Sequence, residues 1–148
     1  MPLLLPRTLA ANPARAGDVA AAGAGEWAVT GAFRWAHRDP ARFARRELAA
    51  FRDSWFGLAS FAPAAAVEIA AIAPDALEAA ARRLAAHLLE AWQAPDAETA
   101  AETAFEEIAF AQALCDRPPG TRLLLEREFN EQGLIERAVV ADPARERA

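Results

Sequence analysis

Along residues 26–35, EWAVTGAFRW, apolar positions recur every second residue. Trp27, Val29, Phe33 and Trp35 share one face, and Thr30 and Arg34 point the other way. A period of two predicts a strand, and Gly31 within it predicts a bulge or a close approach by another element. The period changes at Asp39-Pro40, a capping residue followed by proline at a first helical position. Over 39–56, Ala44, Leu48, Phe51 and Trp55 recur on one helical face. Arg38, Arg42, Arg45, Arg46 and Arg52 spread over the other, which predicts a basic amphipathic helix ending near Phe56-Gly57. The LASFAPA that follows reads as a loop.

The remaining segments divide between the same two periods. LLLPRTL, 3–9, is a strand that Pro6 confines to a sheet edge or a strand end. Residues 10–25 are a connection rich in Gly, Ala and Pro. AAVEIAAI, 65–72, alternates Val67 and Ile69 with Glu68 and predicts a short strand. "APDA" then occurs at 73–76 and at 94–97, each time placing a proline and an acid in a first helical turn. The first helix runs to about Gln93 with Leu77, Ala81, Leu84, Leu88 and Trp92 as its buried stripe. The second runs over 96–115, with Ala101, Ala104, Phe105, Ile108 and Gln112 inward and Glu106 and Glu107 on the polar side. So short a connection predicts an antiparallel helical hairpin. RLLLEREF and LIERAVVA, separated by NEQG, predict a β-hairpin. Strands flank the helical hairpin and do not alternate with helices. The expected fold is therefore α+β, a mainly antiparallel sheet of four or five strands with the helical hairpin packed on one face. One domain over 1–148 is expected, with 141–148 a frayed tail.

Composition narrows the function classes. With 54% hydrophobic and 25% charged residues, the chain can build a core without disulfide or metal. A net charge of −5 argues against general nucleic-acid binding. The single cysteine excludes an internal disulfide and a multi-thiolate zinc site. The leucine run of MPLLLPRTLA is too short for a signal-peptide core, and no stretch approaches a transmembrane length of apolar residues. A cytoplasmic protein with no integral membrane segment is expected.

GEWAVTGAF, FRDSWFGLASF and EEIAFAQALCDRPPGT together resemble an uncharacterised bacterial family of about this length, a domain of unknown function, over nearly the whole chain. The resemblance implies an accessory role, because that family is loosely associated with gene neighbourhoods of cofactor-ligase-like and molybdoenzyme-related proteins. Its members carry a histidine in the turn after the cysteine, where this chain has Arg117. The resemblance therefore implies no Cys-His pair in this turn.

No residue is assigned a catalytic role from the pattern, and Cys115 and His87 are the two with chemistry to weigh. Cys115 shares a helical face with Ala104, Ile108 and Ala111, at a helix C-terminus whose dipole disfavours a thiolate. It reads as a packed core cysteine. His87, three residues from Glu90, has the spacing of an acid/base pair but reads as a boundary residue with a local ion pair. Glu98, Glu102, Glu106 and Glu107 lack the Glu-x-x-His spacing of a carboxylate metal site, so no metal is expected. Gly17, Gly23 and Gly25 form no phosphate-binding loop, and no cofactor is expected. Gln112 stands within an apolar stripe and needs a hydrogen-bond partner there.

Charge asymmetry is the strongest lead. Between Arg34 and Arg52 six arginines face Asp39 and Glu47, a local net of +4. Between Asp75 and Cys115 eight acidic residues face Arg82 and Arg83, a net of −6. The expected function is a non-catalytic adaptor that meets another protein, or a second copy of itself, through Arg38, Arg42, Arg45, Arg46 and Arg52 and the adjoining aromatic loop. The alternative is a small-molecule binder or enzyme with a pocket between hairpin and sheet. Cys115, His87, Gln112, Arg117 and Arg122 would supply its polar groups.

Overall fold

The computed structural model describes residues 2–9 and 22–141. Most of the expected 10–25 connection, Gly17 included, and residues 142–148 of the expected tail lie outside the described residues. In chain order the elements are β1 (Leu4–Thr8), β2 (Ala28–Val29), α1 (Arg45–Asp53), β3 (Trp55–Gly57), β4 (Pro63–Ala64) and β5 (Val67–Ala71), followed by α2 (Pro74–Ala91), α3 (Ala97–Leu114), β6 (Arg122–Asn130) and β7 (Gly133–Val140). They build an α+β fold with two antiparallel sheets, one ordered β1-β5-β6-β7 and a small one ordered β2-β3-β4.

Pro6 sits opposite Ile69 in the edge strand β1, where its missing N–H costs no ladder bond. The two cores follow from the alternation of β2 and β3. Ala28 and Trp55 turn toward Val67, Ile69, Leu123, Leu125 and Cys115 of the large sheet's side. Val29 and Phe56 turn the other way, toward Ala80, Leu84, Leu88, Ala100, Ala104, Ile108 and Ala111 of the helical hairpin. The hairpin therefore packs on the small sheet and on Leu5 of β1. Asp96 starts α3 by accepting the Thr99 N–H at 2.7 Å. The closing β-hairpin pairs Asn130 with Gly133 across two residues.

Four expectations change in the structure. The strand over 26–35 is cut to two residues, because Gly31 has φ 76° and the chain turns into a 3-10 turn at Ala32–Arg34. A Cβ at Gly31 would lie 2.8 Å from the Phe56 Cβ, so only glycine fits this close approach. The helix over 39–56 breaks in two: Asp39 caps a 3-10 turn at Pro40–Arg42, Phe43 and Ala44 are extended, and α1 then starts at Arg45. Trp55–Gly57 leaves the helix as strand β3, and the expected loop LASFAPA contains β4.

The third change concerns the hairpin's faces. On α3 the buried residues are Ala100, Ala104, Glu107, Ile108 and Ala111, while Phe105 is 71% exposed and Ala101 is exposed. The inward face is thus rotated by about one position. On α2, Trp92 is the C-cap and 41% exposed. Fourth, Ala141, expected in the frayed tail, is buried, and its N–H donates to the Arg122 carbonyl at 3.0 Å.

Candidate functional site

The stretch from Thr30 to Ser54 turns too often to satisfy its own carbonyls, and two arginines from opposite ends of the chain do so instead. Arg34 points back into the core. Its Nε donates to the Gly31 carbonyl at 3.0 Å, and its Nη2 to the carbonyls of Thr30 and Ser54, both at 3.0 Å. Arg127, from β6, donates to the Phe51 carbonyl at 2.6 Å and the Thr30 carbonyl at 2.6 Å. Its Nε meets Glu136 Oε2 at 2.8 Å, and the other oxygen of Glu136 accepts the Thr30 hydroxyl at 2.7 Å. Both side chains of this ion pair are almost wholly buried. A guanidinium suits the task because its five donors stay charged while spanning several acceptors.

Glu107 closes the network from α3. Its carboxylate accepts the Phe33 N–H at 3.1 Å and the Gly31 N–H at 3.3 Å, holding the start of the 3-10 turn. The expectation that Glu107 lies on a polar face is thereby overturned, since these N–H groups would otherwise be orphaned in the core. Burial is the largest influence on its acidity and pushes its pKa up to about 7, against the pull of the Phe33 and Gly31 N–H groups and Arg34. Burial, with the neighbouring Arg127 charge, lowers Arg34 to about 9. Trp35 lies among three guanidiniums, those of Arg34, Arg38 and Arg127, at 5.1, 5.6 and 5.9 Å from its ring.

This network fixes the back of a segment whose front is basic. Arg42, Arg45, Arg46 and Arg52 are all exposed, and among the described residues none of them takes part in an ion pair. Arg38 differs: it pairs with Glu47 and lies over the Phe43 ring at 4.8 Å. Arg34, counted with these five in the sequence, is withdrawn from the surface altogether. The apolar residues beneath, Phe43, Phe51 and Trp35, pack ring against ring, and Phe51 stacks on Phe129 of β6 at 5.2 Å.

The residues weighed for catalysis are not brought together. Cys115 is buried in the core between the sheets, and burial, reinforced by Asp116, pushes its thiol up to about 12. His87 belongs to the other core's rim, stacked on Phe61 with ring centres 3.8 Å apart. Its Nε2 accepts the Trp92 indole N–H at 3.1 Å, and burial lowers its pKa although Glu90 pulls it upward. Gln112 is half-buried, its carbonyl accepting the Cys115 N–H at 3.0 Å, and Arg117 and Arg122 are exposed. Glu98, Glu102 and Glu106 are exposed, and no group of three potential ligands among the described residues is placed to hold a metal ion. The first core fills the space between hairpin and small sheet. A shallow groove of about 580 Å³ lies elsewhere, on the β6–β7 face, lined by Leu124, Glu126, Ile135, Arg137, Val139 and Arg52 among others.

Residues 12–147 match a family model described as a family of unknown function, DUF6505. The chain belongs to this family. No curated protein and no solved structure matches it. The match to the DUF6505 model takes in both parts of the site, the buried network from Thr30 to Glu136 and the exposed arginines. No helix among the described residues is long and apolar enough to cross a membrane.

One signal for the missed residues was present in the sequence. In RLLLEREF, Arg127 falls in phase with the inward Leu123 and Leu125, and a two-residue hairpin turn sets it opposite Glu136. An ion pair on the buried side of a hairpin follows from that register. The carbonyls of Thr30, Phe51 and Ser54, by contrast, leave no mark in a sequence.

Proposed function

We propose that this member of DUF6505 is a non-catalytic adaptor that binds an acidic surface of another protein through Arg42, Arg45, Arg46 and Arg52. One observation carries the reading: these four guanidiniums are displayed on a segment that Arg127 and Arg34 clamp from behind, in a chain whose net charge is −5. A rigid cationic surface on an acidic protein favours carboxylate-rich partners and steers their approach. Arg38, held by Glu47 and Phe43, forms the edge of this surface. The burial of Cys115 and the stacking of His87 support a binding role over a thiol- or histidine-based one.

The test is native mass spectrometry of the protein gently purified from its own host, beside the triple variant R42E/R45E/R46E. The wild-type chain is expected to carry a second protein, released as salt rises. The triple variant is expected to lose it while melting within a few degrees of wild type. R117E, a reversal at an exposed arginine elsewhere, is the control that keeps the complex. A triple variant that binds as well as wild type ends the proposal.

A further inference from the structure

The large sheet has two edges, and they are finished differently. At β1 the edge is closed: Pro6 withholds a donor, and the Thr8 N–H and carbonyl are taken by Glu26 and Gly25 at 2.7 and 2.8 Å. At β7 nothing comparable is found among the described residues. Eight residues, Gly133–Val140, run without proline or bulge, and apart from the Glu136 side chain none of them is buried. The N–H of Ala141 bonds to the Arg122 carbonyl, so Ala141 and every second residue before it face β6. The N–H and C=O groups of Leu134, Glu136, Ala138 and Val140 therefore point outward, away from the sheet. An open edge of this length is a template for another strand.

We propose that β7 pairs with β7 of a second copy, antiparallel and centred on Arg137, joining two four-stranded sheets into one. The strand's own sequence favours this occupant. Centring on Arg137 sets Leu134 against Val140 of the second copy and Ile135 against Val139, so each large apolar residue meets another. It sets Glu136 against Ala138, which leaves the Glu136 carboxylate to Arg127 and Thr30. Outward N–H groups meet outward carbonyls throughout, because the hydrogen-bonded pairs of this register are the even-numbered ones. At the axis the two Arg137 side chains stand side by side. Each already lies 3.1 Å from Glu126 and 3.9 Å from Glu128 of its own β6, so four carboxylates surround the two guanidiniums. Val140, half exposed in the single chain, gains an apolar cover. Centring on Glu136 instead would set two carboxylates face to face, which the strand disfavours.

This dimer is made by the β7 edge and uses none of Arg42, Arg45 and Arg46; of the displayed arginines only Arg52 borders the β6–β7 face, and the two proposals are tested by different variants. The test is light scattering across the micromolar range, together with hydrogen exchange read at single amides. The wild-type chain is expected to dimerise, with the amides of Leu134, Glu136, Ala138 and Val140 losing protection on dilution. V140K places a charge at a contact made twice, and is expected to weaken the dimer at least about tenfold. A138P removes an outward N–H without breaking a β6–β7 bond and is expected to do the same. R42E/R45E/R46E is expected to leave the dimer intact. A wild-type chain that stays monomeric at all concentrations overturns the proposal. So does a dimer that survives both β7 variants, or one that only the arginine reversals dissolve.

Discussion

Two groups of arginines share one short stretch of chain and have opposite fates. Arg34 is 7% exposed and donates to Thr30, Gly31 and Ser54, whereas Arg42, Arg45, Arg46 and Arg52 stand in solvent. Residue type does not separate them, and neither does local charge. What separates them is the supply of buried carbonyls. The turn at Gly31 and the helix end at Ser54 leave acceptors inside the molecule, and a guanidinium, with five donors in a fixed fork, reaches several of them at once. Past Pro40 the carbonyls of Pro40, Ala44 and Ala50 are taken by the 3-10 turn and by α1, and those of Phe51 and Ser54 by Arg127 and Arg34. The buried group makes the fold of this region; the exposed group uses it.

Removing the central buried arginine separates the groups most sharply. Arg127→Met leaves Glu136 without its cationic partner, strips the Phe51 carbonyl of its arginine donor and leaves the Thr30 carbonyl to Arg34 alone. Breaking a buried pair in this way costs about 3–5 kcal/mol, because the remaining charge keeps its desolvation penalty. Arg127→Met/Glu136→Leu is expected to recover much of that loss, since a buried pair and an apolar pair of similar volume are often close in stability. Denaturant unfolding of the three proteins measures both effects. A loss for Arg127→Met no larger than that of a surface arginine would falsify the clamp.

Glu107 gives a second effect, visible as a dependence on pH. Its folded-state pKa of about 7 lies above the ordinary 4.5, so between these values the folded chain holds a proton that the unfolded chain has released. Stability therefore falls as pH rises from 4.5 to about 7, and the cost of the ionised, buried carboxylate is complete above that window. A shift of this size corresponds to about 3 kcal/mol. Glu107→Gln removes the titration. The difference in stability between variant and wild type is expected to move in the variant's favour by about that amount from pH 4.5 to 8. A difference that stays level across the window shows that Glu107 is not the titrating group.

How much of this was legible in the sequence follows from the range of the interactions. The hairpins were legible, because Pro74, Asp96 and the alternation around Leu123 and Leu125 act on neighbours within a few residues. The strands of the small sheet were not, being two or three residues long and too short to show a period. Trp27, Phe33 and Trp35 imitate one longer strand only because the turn at Gly31 is invisible to a count by twos. In α3, alanine dominates the buried side, so the large Phe105 misplaced the face and hid Glu107. The exposed arginines of α1 were found by charge alone. Arg34, Glu107 and Arg127 were missed as a site, because their partners lie far along the chain: Glu107 from Phe33, Arg127 from Phe51 and Thr30.

Arg38 stands between the two groups and gives the smallest effect that still discriminates. Among the described residues it has one carboxylate partner, Glu47, and two aromatic ones, Phe43 and Trp35, but no buried carbonyl. Substituting Arg45 with alanine removes neither kind of contact and is expected to change stability by no more than about 0.5 kcal/mol. Arg38→Ala removes the ring contacts, which at such sites contribute about 0.5–1 kcal/mol. Salt tells the contributions apart. The attraction to Glu47 is screened as salt rises, whereas the ring contacts depend on close apposition and persist. Thermal melts of wild type, Arg38→Ala and Arg45→Ala should therefore keep Arg38→Ala lowest at high salt. If Arg38→Ala and Arg45→Ala converge there, Arg38 belongs with the displayed arginines, and the anchored part of the segment ends at Trp35.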